Sequence, residues 1–200
     1  MAKHVDYYVS LNSPWTYLGS KRFEIIARKH KADVTIWPVD FGSVFAVSGG
    51  LPLPKRAPQR QAYRMMELKR WRDHLGVKTT LEPKFFPANE VPAAKCVIAL
   101  REQGRMADAI KLAHAVLAAL WAEEKNTGDA ATLRAIITGC GLDADAVIKA
   151  SEVPEMANKR EAYTRHAIDH GVFGAPSFVI DGEIFWGQDR LDFVDAKLAA

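Results

Sequence analysis

The chain predicts an α/β fold in which two sheet-forming segments flank a block of helices. Three observations carry this. The opening alternates strand, helix and strand patterns. Residues 58–170 repeat apolar positions at spacings of three and four. The end returns to two short strands about a tight turn. At 200 residues, 48% hydrophobic and 26% charged, the composition is globular and rules out disordered or collagen-like chains.

Val5-Asp6-Tyr7-Tyr8-Val9 is β-branched and aromatic, which predicts the first strand. Leu11-Asn12-Ser13-Pro14 follows as a turn. Ser13 suits a helix N-cap, and Pro14 suits the first helical position, where its missing N–H costs nothing. That helix runs to about Lys29. Val34-Thr35-Ile36-Trp37-Pro38-Val39 is the second strand, and the helix between them makes the two strands parallel. Ser48-Gly49-Gly50-Leu51-Pro52-Leu53-Pro54 is a loop.

From Pro58 the helical signal persists, as at Val97 and Leu100 and at Ala113, Leu117 and Leu120. Breaks fall at Gly76 to Pro92, at Gly104, at Asn126 to Asp129 and at Gly139 to Gly141. Ser177-Phe178-Val179-Ile180 and Glu183-Ile184-Phe185-Trp186 are strands about the hairpin turn Asp181-Gly182. A helix from Arg190 to about Leu198 closes the chain. Residues 1–47 and 171–200 are expected to form one sheet-based domain, with residues 48–170 as a helical insertion domain.

A net charge of +3 is too small to mark a nucleic-acid binder, although it allows a local site for small acidic ligands. The longest apolar run, Ala115 to Ala122, is far shorter than the ~20 residues of a membrane span. Asp6 interrupts the place where a secretion signal would be apolar, so a cytoplasmic protein is expected. Cys96 and Cys140 form no CxxC and no metal-ligand spacing, which predicts reduced, buried packing residues. His166 and His170 stand at i,i+4 with no third ligand, so no metal is expected and both read as helix-surface residues.

Three short segments can carry chemistry. Ser13-Pro14-Trp15-Thr16 starts a helix, where unpaired N–H groups favour an anion or a thiolate; Ser13 is either a plain cap or a donor to such a sulfur. Gly174-Ala175-Pro176-Ser177 precedes a strand. A cis Ala175-Pro176 bond would turn the Ala175 backbone outward to pair with a peptide-like ligand, and a trans bond would make it an ordinary turn. Trp186-Gly187-Gln188-Asp189-Arg190 starts another helix, where Asp189 either caps or accepts from an ammonium. Arg56, Arg60 and Arg64 are spaced by four. They form either a solvated face paired with Glu67 or a basic stripe that receives a carboxylate.

Together these segments resemble the thioredoxin superfamily in its DsbA-like form: a β-α-β half and a β-β-α half separated by a helical insertion, with a cis-proline before the hairpin. Where the oxidoreductases of that group carry CxxC, this chain reads Ser13-Pro14-Trp15-Thr16, so thiol–disulfide exchange at that place is excluded. Asp6-Tyr7-Tyr8 with Ser13-Pro14-Trp15-Thr16-Tyr17-Leu18, then 171–178, then 185–191, resemble 2-hydroxychromene-2-carboxylate isomerases and the related kappa-class glutathione transferases.

That resemblance implies a glutathione-dependent enzyme and a homodimer. Ser13 would hold the sulfur, the Ala175-Pro176 backbone the cysteinyl part, and Gln188, Asp189 and Arg190 the γ-glutamyl end. Lys55 matches a ligand-approaching lysine after the second strand, with Arg56 adjacent. The implied reaction interconverts 2-hydroxychromene-2-carboxylate and trans-o-hydroxybenzylidenepyruvate by reversible thiolate addition to a conjugated enone. A transferase that conjugates electrophiles is the alternative, and a non-catalytic binding module is a third reading. Trp15, Phe41 and Phe45 are candidates for an aromatic slot, and Asn89 for a polar substrate contact.

Overall fold

Strand β1 (His4–Val9) is the hinge of the sheet. It pairs in parallel with β2 (Asp33–Pro38) on one side and antiparallel with β3 (Ser177–Ile180) on the other; β3 pairs antiparallel with β4 (Glu183–Trp186), giving the order β2-β1-β3-β4. The two ends of the sequence therefore share one sheet. This computed structural model describes residues 3–200.

Side-chain alternation along β1 decides what covers each face. Val5, Tyr7 and Val9 join Phe23 and Ala27 of α1 (Pro14–Lys29) and Leu191 and Val194 of α9 (Leu191–Ala199). On this face Tyr7 stacks on its cross-strand partner Phe178 at 5.1 Å, and Phe23 tilts against both rings at 4.7 and 4.6 Å. Tyr8, on the opposite face, packs with Val179 against α2 (Phe41–Ser48) and α8 (Pro154–Asp169).

The helical block comprises α3 (Pro58–Leu75), α4 (Val91–Glu102), α5 (Met106–Trp121), α6 (Ala130–Gly139), α7 (Ala144–Ser151) and α8. Its buried Ala93, Val97, Leu112, Val116 and Val147 lie in the same core as β1, α1 and α9. The helix ends have local causes. Asp129 and Asp143 accept from Thr132 N and Ala146 N, capping α6 and α7. Gly76, at φ 62°, ends α3 in the left-handed conformation.

Some features differ from the sequence expectation. Helix α2 falls where no element was expected: Asp40 caps it, its side chain accepting from Gly42 N, and Gly49 stops it. The helical pattern also breaks at Glu152–Val153, because Pro154 opens α8. The last helix starts with a 3₁₀ turn, Gln188–Arg190. His166 is only partly exposed: its ring stacks on Trp37 at 3.9 Å, and Nδ1 lies 3.0 Å from the Tyr8 hydroxyl, while His170 is exposed. Cys96 and Cys140 are free and buried, and no described helix is long and apolar enough to cross a membrane.

Candidate active site

Ser13 sits where β1 gives way to α1, and its extended backbone makes it the cap of that helix. Its Oγ accepts from Thr16 N at 3.1 Å and donates to the Ala175 carbonyl at 3.4 Å. The second bond is long for O–H···O, so the hydroxyl proton is weakly held and free to turn to a better acceptor. Ala175 belongs to the turn before β3, and the Ala175-Pro176 bond is cis. This turn is tied to the next one by Gly187 N, which donates to Pro176 O at 2.9 Å. Gly187 makes the chain reversal at φ 106°, a conformation that L side chains rarely adopt.

A cavity of about 540 Å³ opens over this junction. Ser10, Asn12, Ser13 and Trp15 form one part of its lining, Phe173, Gly174, Ala175 and Trp186 another, and Phe41, Phe45 and residues 49–54 a third. Phe86 and Pro87, joined by a second cis bond, complete it together with Arg56, Arg60 and Arg64. Gly174 admits the Trp186 indole, since a Cβ there would lie 2.3 Å from its Nε1.

The polar seam behind Ser13 comes from residues far apart in the chain. Glu90 Oε2 accepts from Ser10 Oγ at 2.8 Å and from Asn12 N at 3.1 Å, while Arg160 pairs with Oε1 at 3.1 Å. Burial pushes the Glu90 carboxyl up, opposed by Ser10, Arg160 and the Asn12 N–H. Sequence reasoning missed Glu90 and Asn12, whose partners are distant in sequence. The cis Phe86-Pro87 bond was missed as well.

Of the three arginines, Arg56 and Arg64 are half-buried and Arg60 is exposed, so the row is solvated only at its middle member. Arg70, not one of them, pairs with Glu67. Among the described residues no carboxylate lies within 4.0 Å of Arg56, Arg60 or Arg64. Burial and the neighbouring Arg56 hold the Arg64 pKa down at about 10; burial, with Arg60, also lowers that of Arg56.

The structure brings Ser13, Trp15, Phe41, Phe45 and Ala175 to one cavity, although Phe41 is also largely buried in the core under α2. Other sequence candidates lie outside that lining. Lys55 is exposed on a 3₁₀ turn, between Pro54 and Arg56, which do line the cavity. Pro176 is buried behind Ala175. The Gln188 side chain is buried and accepts from Arg22 at 2.7 Å, while Asp189 and Arg190 are exposed and pair with each other at 3.1 Å. Asn89 is exposed, its Oδ1 accepting from Val91 N at 3.2 Å in a local turn.

A sheet closed by a cis-proline turn facing a helix-capping residue, with helices inserted between its halves, defines a class of protein. Residues 4–199 match the family model described as a DSBA-like thioredoxin domain, and the chain belongs to that family. Within it, the chain is similar to the 2-hydroxychromene-2-carboxylate isomerase of Sphingobium xenophagum, 29% identical over 199 residues that cover 99% of each chain. It is also similar to the enzyme of that name from Pseudomonas putida, 26% identical over 97% of this chain and 93% of the relative. A solved structure of a 2-hydroxychromene-2-carboxylate isomerase superposes with a TM-score of 0.80 at 25% identity, covering 98% of this chain and 94% of that one.

Proposed function

We propose that this protein is a glutathione-dependent cis–trans isomerase of aromatic conjugated keto acids, of the 2-hydroxychromene-2-carboxylate type. One observation carries the reading: a weakly committed serine hydroxyl at a helix start shares a cavity with guanidinium groups that have no carboxylate partner among the described residues. The names of the full-length relatives support the same reaction class. The site suits glutathione on chemical grounds. The start of α1 favours an anion, Ser13 Oγ supplies a donor, and Ala175 lines the cavity beside a cis-proline.

Glutathione would supply a thiolate nucleophile for reversible conjugate addition at the β-carbon of the enone, the π electron pair moving to the conjugated carbonyl oxygen and returning as the thiolate leaves, so that the former double bond is single and can rotate in between. Ser13 keeps its proton and donates it as a hydrogen bond to the sulfur position. The positive end of the α1 dipole adds to that stabilisation. The aromatic walls at Trp15, Phe45 and Phe86 exclude water from the apolar part of the substrate.

The test is turnover of 2-hydroxychromene-2-carboxylate with and without glutathione while the glutathione concentration is followed. Stimulated isomerisation with glutathione conserved supports the reading. Stoichiometric loss of glutathione to an electrophile would replace it with a transferase.

A further inference from the structure

We propose that Arg64, with Arg56 beside it, binds the carboxylate of the electrophilic substrate and so selects conjugated keto acids over their neutral analogues. The proposal deepens the function proposed above and rests on it for the identity of the electrophile.

Arg64 is a half-buried cation on α3. Its guanidinium lies 5.5 Å from the Phe86 ring centroid, and Phe86 is itself backed by Trp121 at 4.9 Å. The side chain's other polar contact is a weak one, 3.7 Å to the Met65 sulfur. Arg56 is held at the same cavity from two sides: its Nε donates to Leu51 O at 2.8 Å, and its guanidinium lies 6.0 Å from the Phe45 centroid.

Partly buried arginines are ordinarily matched by carboxylates. Here two such cations line one cavity and repel one another, and among the described residues no carboxylate lies within 4.0 Å of either. An anion bound in that cavity relieves both deficits. A planar carboxylate fits the fork geometry of guanidinium better than a spherical ion does. The surrounding Trp15, Phe45, Phe86 and Phe173 favour an anion attached to a flat aromatic group over free phosphate. Arg60 is exposed, so water screens its charge and its part is smaller.

The experiment measures binding of trans-cinnamate, its methyl ester, inorganic phosphate and glutathione to the wild type, Arg64→Met and Arg64→Lys. Cinnamate should bind the wild type at least about tenfold more tightly than the ester, the scale of one charge-assisted hydrogen bond. Arg64→Met should cut that preference at least about threefold while leaving ester and glutathione affinities unchanged, the remainder resting on Arg56. Arg64→Lys should restore only part of the loss. A preference that survives undiminished in Arg64→Met overturns the proposal. So does a loss confined to glutathione, because Arg64 would then hold the tripeptide. Phosphate binding as tightly as cinnamate would also overturn it. If the wild type binds no glutathione yet keeps the Arg64-dependent preference, the carboxylate site stands and the glutathione reading falls.

Discussion

Asn12 and Ala88 exchange two hydrogen bonds: Asn12 Nδ2 donates to the Ala88 carbonyl at 2.8 Å, and Ala88 N donates to Asn12 Oδ1 at 3.0 Å. This pair fastens the turn that presents Ser13 to the segment that carries Phe86 and Pro87. Asn12→Ala leaves both Ala88 groups without those partners. It should cost about 1–3 kcal/mol and reduce turnover. Denaturant midpoints and initial rates on the same preparation check both.

Glu90 and Arg160 sit with side chains only 16% and 15% exposed, so each depends on the other. Glu90→Ala should destabilise by about 3–5 kcal/mol, because it strands the Arg160 cation. Glu90→Gln keeps an acceptor for Ser10 and should cost less. Equilibrium unfolding of the two variants checks the order.

The two glycines at the site should differ in what alanine costs them. At Gly174 the obstructing atom belongs to the half-exposed Trp186 side chain, which can swing aside. Gly174→Ala should therefore leave stability within about 1 kcal/mol of wild type while changing the fluorescence of Trp186. At Gly187 both the backbone, at φ 106°, and Asp189 Oδ1 oppose a Cβ. Gly187→Ala should cost about 1–3 kcal/mol in thermal or chemical unfolding.

His114, whose Nδ1 lies 2.6 Å from Ser20 Oγ, has its pKa pushed down to about 4, chiefly by burial and then by Lys21. The folded protein takes up that proton less readily than the unfolded chain does. The stability contribution is complete above about pH 6.5 and is lost as pH falls towards about 4, by an amount on the order of 2 kcal/mol after partial screening. Stability profiles from pH 7 to 4 should show this slope in the wild type and lose it in His114→Gln.

The parts of the fold legible in the sequence were those specified within a few residues. Ser13-Pro14 marked the start of α1. Asp181-Gly182 marked a hairpin, and both residues take positive φ, 52° and 79°. Helix α2 was hidden because FGSVFAVS is short, apolar and glycine-containing, so no helical period stands out. The seam of Glu90 with Ser10, Asn12 and Arg160 was illegible for a different reason. Its partners are 80, 78 and 70 residues apart and meet only when the helical block docks on β1. The arginine spacing suggested a stripe, but only the packing of Arg56 against Phe45 and of Arg64 against Phe86 separates a cavity-lining wall from a solvated one.

Whether Ser13 holds a glutathione sulfur in its ionised form is read by ultraviolet titration of the bound thiol in the wild type, Ser13→Ala and Ser13→Thr. The thiol should ionise well below the ~8.5 of a free cysteine in the wild type and in Ser13→Thr. In Ser13→Ala it should rise by about a unit or more, and turnover should fall in parallel. Ser13→Ala also loses a helix cap, worth about 1 kcal/mol of stability, but that alone moves no thiol pKa. An unchanged thiol pKa with undiminished turnover in Ser13→Ala would mean that Ser13 does not hold the sulfur.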